Sequence, residues 1–148
     1  MNDTDRKYGS HSAAPSLVIC RTAVRIKAMM AKRLKEFDIT PEQWGVLAML
    51  REEDGITQKE LSCRILKDQP NITRILDKLA GKGLVRRTGA TADRRAFLVH
   101  LTDRGREMHD ELLPVVAAFR KDIVRDLNAE EIGTLLRLLD RVGVEHEE

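Results

Sequence analysis

Between Thr40 and Asp68 the chain carries three helix-start signals in close succession, which commits this stretch to short helices joined by tight turns. Thr40-Pro41-Glu42-Gln43 offers a capping threonine, a proline at the first helical position and a glutamine that can close a capping box. Thr57-Gln58-Lys59-Glu60 repeats the box, and Asp68 can cap a third helix with Pro70 in its first turn. The apolar residues agree. Trp44, Val46, Leu47 and Leu50 mark the first helix, which should stop near Glu53-Asp54-Gly55; Leu61 and Ile65 mark the second. Ile72, Ile75, Leu76 and Leu79 mark the third, which should span 69–81 and end in Gly81-Lys82-Gly83. The period then changes. Leu84–Arg87 and Ala96–Leu101 read as strands joined by Thr88–Arg95, a β-hairpin with a long charged tip.

The flanks read as helices of another kind. After a polar arm over residues 1–15, Leu17, Cys20, Val24, Ala28 and Ala31 follow helical spacing from Ser16. Val18, Ile19, Ala23, Ile26, Met29, Met30 and Leu34 widen that stripe beyond one face, so this helix must meet two surfaces. Thr102 can cap a long helix over about 103–126, bent at Pro114, and Asn128 with Glu131 opens a last one through Leu139 and Val142. Aromatic residues make up only 3% of the 148, which disfavours an all-β fold, and the helix formers Leu, Ala, Arg, Glu and Lys dominate. The expected fold class is therefore mainly α with a small β-hairpin wing: a winged helix-turn-helix over 40–102, flanked by helical regions over 16–38 and 103–143.

Several functions fall away. No apolar run reaches the ~18–20 residues of a membrane helix, and residues 1–10 lack the apolar stretch of a signal peptide, so a cytoplasmic protein is expected. Cys20 and Cys63 make no disulfide framework, and His11, His100, His109 and His146 are too scattered for a metal site. With no nucleophile–base pairing and no phosphate-binding glycine loop, neither an enzyme nor a cofactor is expected.

Charge is distributed unevenly. From Ile56 to Arg106 there are twelve basic and five acidic residues, a local balance of +7 within a chain of net +2. A basic centre between acidic flanks suits a polyanion partner, although a solvated basic face is the bland alternative. If the third helix lies in a DNA major groove, its free faces offer Gln69, Asn71, Thr73 and Arg74 to bases and Lys78 to phosphate. Asp93-Arg94-Arg95 at the hairpin tip could place an arginine in the minor groove with Asp93 holding it extended; a plain turn with solvated arginines is the alternative. Arg86 and Arg87 can face phosphate or brace the wing.

The ordered set Thr57-Gln58-x-Glu60-Leu61, Asp68, Thr73-Arg74-x-x-Asp77-x-Leu79, Lys82-Gly83-Leu84-Val85-x-Arg87, Asp93-Arg94-Arg95 and Leu101-Thr102-x-x-Gly105 resembles the MarR family of transcriptional regulators. The likeness spans about residues 16–143, and Gln69-Pro70 with the Trp44 helix is similar to the SlyA-like branch. It implies a homodimer, with 16–38 and 103–143 forming a helical dimerisation region, on double-stranded DNA with a palindromic operator, half-sites roughly 34–36 Å apart. It places Gln69, Asn71, Thr73 and Arg74 in the major groove and Arg95, partnered by Asp93, in the minor groove. It further implies a repressor released by a small aromatic or phenolic ligand between the dimer helices and the winged domain, where Arg21, Arg25 and Trp44 are candidate pocket residues. A surface ion pair for the arginines and a core anchor for Trp44 are the alternatives. One branch, the OhrR-like peroxide sensors, uses an early cysteine, which would make Cys20 a redox site. Tyr8 is the only tyrosine, however, and a buried small hydrophobe is the alternative reading of Cys20. Two other functions compete: a thiol-based redox regulator and a winged-helix protein–protein module.

Overall fold

The computed structural model describes residues 14–65, 67–89 and 97–145. Most of the polar arm and the hairpin tip, including Asp93, Arg94 and Arg95, lie outside the described residues. In chain order the elements are α1 (Pro15–Leu34), a 3-10 turn (Lys35–Phe37), α2 (Pro41–Glu52), β1 (Ile56–Thr57), α3 (Gln58–Ile65) and α4 (Gln69–Gly81). They continue with β2 (Val85–Gly89), β3 (Phe97–Leu101), α5 (Asp103–Asp122) and α6 (Ala129–Leu139). This is the mainly helical winged fold expected from the sequence.

Each helix start is set by the chemistry that announces it. Thr40 and Gln43 form the reciprocal capping box of α2, Asp68 accepts from the Asn71 amide at the head of α4, and Asn128 and Glu131 box the start of α6. Thr57 does two things at once. Its backbone pairs with Leu98 as part of β1, while its hydroxyl accepts from the Glu60 amide (3.1 Å) and the Glu60 carboxylate accepts from its own N–H (2.9 Å). The sheet runs β1-β3-β2, all antiparallel. A strand of two residues has no period to read, so sequence patterning shows only the hairpin.

Boundaries differ at five places, one of them the end of β2, which runs past Arg87 through Thr88 and Gly89 in pairing with Leu98 and Phe97. α1 begins one residue early, because Pro15 fits the first helical position. Leu84 precedes β2, since its amide is held by the Leu79 carbonyl (3.0 Å) in a closing turn around Gly83, whose φ is 73°. Pro114 lies inside α5 without ending it; the helix stops at Asp122, where the amides of Val124 and Arg125 turn to carbonyls three residues back. Val142 lies past the end of α6, its amide likewise bonded to the Leu139 carbonyl.

The core gathers under α4 and α2. Ile72, Leu76 and Leu79 are fully buried against Val46, Leu47, Leu50, Leu61, Leu84 and Val99. Trp44 is buried there too, stacked on His109 of α5 with ring centroids 5.1 Å apart. Of the two readings of Trp44, the core anchor is the observed one. His109 also bonds Asp110 (3.0 Å), and this bond, with Arg51 nearby, holds the Asp110 carboxyl below the usual carboxylate range.

The tightest joint lies where α5 begins. The Thr102 hydroxyl donates to the Gly83 carbonyl (2.6 Å) and accepts from the Gly105 amide (3.0 Å), while the Thr102 amide donates to the Leu84 carbonyl (3.1 Å). Helix and turn approach so closely that a Cβ on Gly105 would stand 2.1 Å from the Leu84 carbonyl oxygen. The clash is with backbone, which cannot swing aside. Gly105→Ala should therefore lose about 1–3 kcal/mol or more of stability, measured by urea unfolding; a value within about 0.5 kcal/mol of the parent would contradict the joint.

Candidate nucleic-acid interface

The candidate recognition element is α4 (Gln69–Gly81), and the faces it does not bury are the candidate reading surface. With Ile72, Leu76 and Leu79 inward, Thr73, Arg74, Asp77 and Lys78 are exposed and Asn71 is half-buried. Gln69 opens the helix, but its side chain lies outside the described residues. The exposed residues fall into two groups. On one flank Arg74 donates to the Asn71 side-chain oxygen, so two candidate base readers already touch. On the other flank the Gln58 amide, from the first turn of α3, donates to the Thr73 hydroxyl (2.6 Å).

The wing is anchored to that second flank. Arg87 on β2 donates to the Asp77 carboxylate (2.7 Å) and reaches the Thr73 carbonyl (3.4 Å). Its Nε is buried with no hydrogen-bond partner among the described residues. Of its two possible roles, bracing the wing is the one this geometry serves. The base of the wing is tied again on the far side of β3. His100 lies 3.1 Å from the Thr88 hydroxyl and 3.6 Å from the Asp54 carboxylate, which also accepts from the Leu101 amide (2.8 Å) and from Arg106 (3.1 Å). Gly55, with φ 70°, lets the turn pass the His100 ring, which a Cβ would approach to 2.9 Å.

Sequence reasoning therefore missed Gln58, Asp77 and Asp54 as positioning residues. Gln58 and Asp77 stand inside the motifs, but their partners are fifteen and ten residues away across turns, and only the folded chain brings them together.

A cleft of about 460 Å³ opens beside the Asn71–Arg74 flank. It is lined by Lys27 of α1, Thr40 and Glu42 at the head of α2, and Asn71, Arg74 and Lys78 of α4, with Lys67 at its edge. Glu42 is the acid among these. Partial burial pushes its carboxyl up, but hydrogen bonds from Lys27 and from its own backbone, with the fields of Lys27 and Lys67, hold it below the usual range. The cleft keeps an excess of positive charge.

Arg21, Arg25 and Trp44 do not line this cleft: the arginines sit on the exposed side of α1, and Trp44 is in the core. Cys20 is exposed rather than buried, and Leu34 is the one residue that α1 fully buries among the described residues. Cys63 is exposed as well. Among the described residues no cluster of His, Cys, Asp or Glu could hold a metal ion, and no helix is long and apolar enough to cross a membrane.

A family model described as "MarR family" matches residues 39–97, from the elbow before α2 to the first residue of β3. Over a longer span, the reduced form of MarR from E. coli is 30% identical, with a TM-score of 0.73 over 88% of this chain and 96% of that one. The chain belongs to the MarR family. Two further MarR-type structures carry DNA. A cysteine-to-serine mutant of E. coli MarR with operator DNA is 27% identical, with a TM-score of 0.82 over 97% of this chain and all (100%) of that one. The transcriptional repressor CouR on a 23-mer duplex is 28% identical, with a TM-score of 0.81 over 90% of this chain and 94% of that one. This member of the MarR family is a DNA-binding transcriptional regulator and not an enzyme.

If Arg87 and Asp77 brace the wing as a unit, their effects on stability are not additive. In a cycle of Arg87→Met, Asp77→Ala and the double variant, urea unfolding should give a coupling of about 0.5–1 kcal/mol, small because the pair is partly solvent-screened. Strict additivity would mean the pair is incidental.

Proposed function

We propose that this protein is a homodimeric repressor that reads a palindromic operator and releases it when a small aromatic or phenolic acid binds. The carrying observation is the surface of α4: Asn71, Thr73, Arg74 and Lys78 stand outward on a capped helix whose opposite face is fully buried. In a major groove, Asn71, Thr73 and Arg74 supply base-edge partners, with Gln69 at the helix head, and Lys78 supplies a phosphate contact. Asp93, Arg94 and Arg95 belong to the same proposal as the minor-groove tip of the wing, with Arg87 holding the strand behind them. CouR, similar over most of its length, is a repressor on a DNA duplex, and the same role is assigned to this chain.

Dimerisation is supported by what the single chain leaves uncovered. α6 buries no residue, yet Leu135, Leu136, Leu138 and Leu139 are exposed on it, and Val24 on α1 is 69% exposed. Such apolar area stabilises a second copy rather than a solvated monomer. Two-fold pairing through α1, α5 and α6 makes the operator an inverted repeat.

The cationic cleft is the proposed effector site, and its size suits a small ligand. A carboxylate there draws on Lys27 and Lys67, and also on Arg74 and Lys78 of the DNA face. It therefore favours the state in which those side chains turn away from DNA, which is the differential affinity that release requires.

The decisive experiment is in vitro selection of genomic fragments at about 150 mM salt with competitor DNA, where counterion release no longer sustains non-specific binding. An enriched inverted repeat is expected, and no enrichment would remove the operator reading. On that repeat Arg74→Ala should lose about 1–3 kcal/mol of affinity by mobility shift, and no loss would exclude Arg74 from the contact set. For the effector, benzoate-type carboxylates titrated into the complex should release DNA. Lys67→Ala should raise the concentration required several-fold; an unchanged midpoint would place the effector elsewhere.

A further inference from the structure

One lysine ties together three parts of the chain: the end of α4, the elbow after α1 and the head of α2. Lys82 is the residue that closes α4, and its side chain is largely covered. The ammonium donates to the main-chain carbonyl of Asp38, reaches the Gln43 side-chain oxygen at 3.1 Å and lies 3.4 Å from the Asp38 carboxylate. An ammonium has three donors, and here three acceptors converge on it.

Each acceptor is itself fixed. Asp38 ends the 3-10 turn below α1 in the left-handed region, φ 55°, the only non-glycine residue with positive φ among the described residues. That conformation aims its carbonyl at Lys82 rather than along a continuing helix. The amides of Asp38 and Ile39 bond back to the Lys35 and Leu34 carbonyls, so the elbow moves with the end of α1. Gln43 is only 3% exposed, and the oxygen that accepts from Lys82 also accepts from the Thr40 amide (3.2 Å) as half of the α2 capping box. The Asp38 carboxylate is 93% exposed and is the weakest of the three. A cation at the C-terminus of α4 is further favoured by the helix dipole.

We propose that Lys82 is a positioning residue that fixes the angle between α1 and the recognition helix, and thereby sets the operator spacing that the dimer accepts. The proposal rests on the dimeric, DNA-reading function above. α1 belongs to the proposed dimer region and α4 to the DNA face, and the elbow between them is the hinge across which a rotation changes the separation of the two α4 helices. A DNA contact by Lys82 is not part of this role: its donors are already occupied. Losing it should leave base preference intact and relax spacing.

The test measures the spacing directly, without DNA. Ala80, exposed on the outer side of α4, is replaced by cysteine and spin-labelled in a background with Cys20→Ser and Cys63→Ser, and inter-label distances are read by pulsed dipolar spectroscopy. The parent dimer should give a narrow distribution and Lys82→Met a broadened or displaced one. Lys82→Gln, which keeps two donors but no charge, is the second variant and should fall between them. Asp38→Gly keeps the positive φ and the carbonyl while removing the carboxylate, and should match the parent. Superimposable distributions for the parent and both Lys82 variants would overturn the proposal, as would broadening in Asp38→Gly equal to that in Lys82→Met. An absence of any inter-label distance in the parent would instead overturn the dimer. On the selected repeat with altered spacers, the parent should discriminate on the order of tenfold per base pair and Lys82→Met within about threefold. A uniform loss at every spacing would also overturn the proposal.

Discussion

The architecture depends on one close approach of backbone to backbone, that of Gly105 at the head of α5 to Leu84 just past the end of α4. No side chain can be accommodated between them, and Thr102 welds the contact with hydrogen bonds to Gly83 and Leu84. The end of α4 is thus joined rigidly to the long helix α5. Lys82 makes a second junction from the same end of α4 to the elbow under α1, and Arg87 makes a third from the wing to its middle. The first two lie at the C-terminal end of α4 and the third, on Thr73 and Asp77, at its middle. Its N-terminal turn, where Asn71 stands after the Asp68 cap, is held from the other side, by the burial of Ile72 in the core and by Gln58 of α3 donating to Thr73.

This arrangement separates two kinds of polar residue that sequence alone presents as one basic cluster. Arg87, Lys82 and Arg106 are held by acceptors within the chain and shape the protein. Lys78 and Arg74 face outward beside the cleft, where they can meet an anion from outside. The local charge of +7 exaggerates what is offered to a partner, because part of it is consumed in bracing.

The fold was legible wherever a local rule governs it. Thr40, Asp68 and Asn128 place helix starts because the capping geometry is completed within four residues, and the burial of Ile72, Leu76 and Leu79 follows from their period. What sequence could not show depends on partners far along the chain. Trp44 is equally apolar as a core anchor or a pocket wall, and only the stack on His109, sixty-five residues later, decides it. β1 is too short to carry a pattern, and the reach of Lys82 back to Asp38 has no signature in spacing. Cys20 illustrates the opposite difficulty: it fits an apolar stripe, but the stripe exceeds what one chain can cover.

α6 leaves four leucines exposed among the described residues. In the proposed dimer their burial is supplied by the partner, so folding and assembly become one equilibrium, and its midpoint moves with protein concentration. A cell that makes little of this protein then holds a less stable protein, not merely fewer copies of the same one. Any process that lowers its abundance would hasten the loss of what remains, so that derepression would steepen with dilution even where no effector is present.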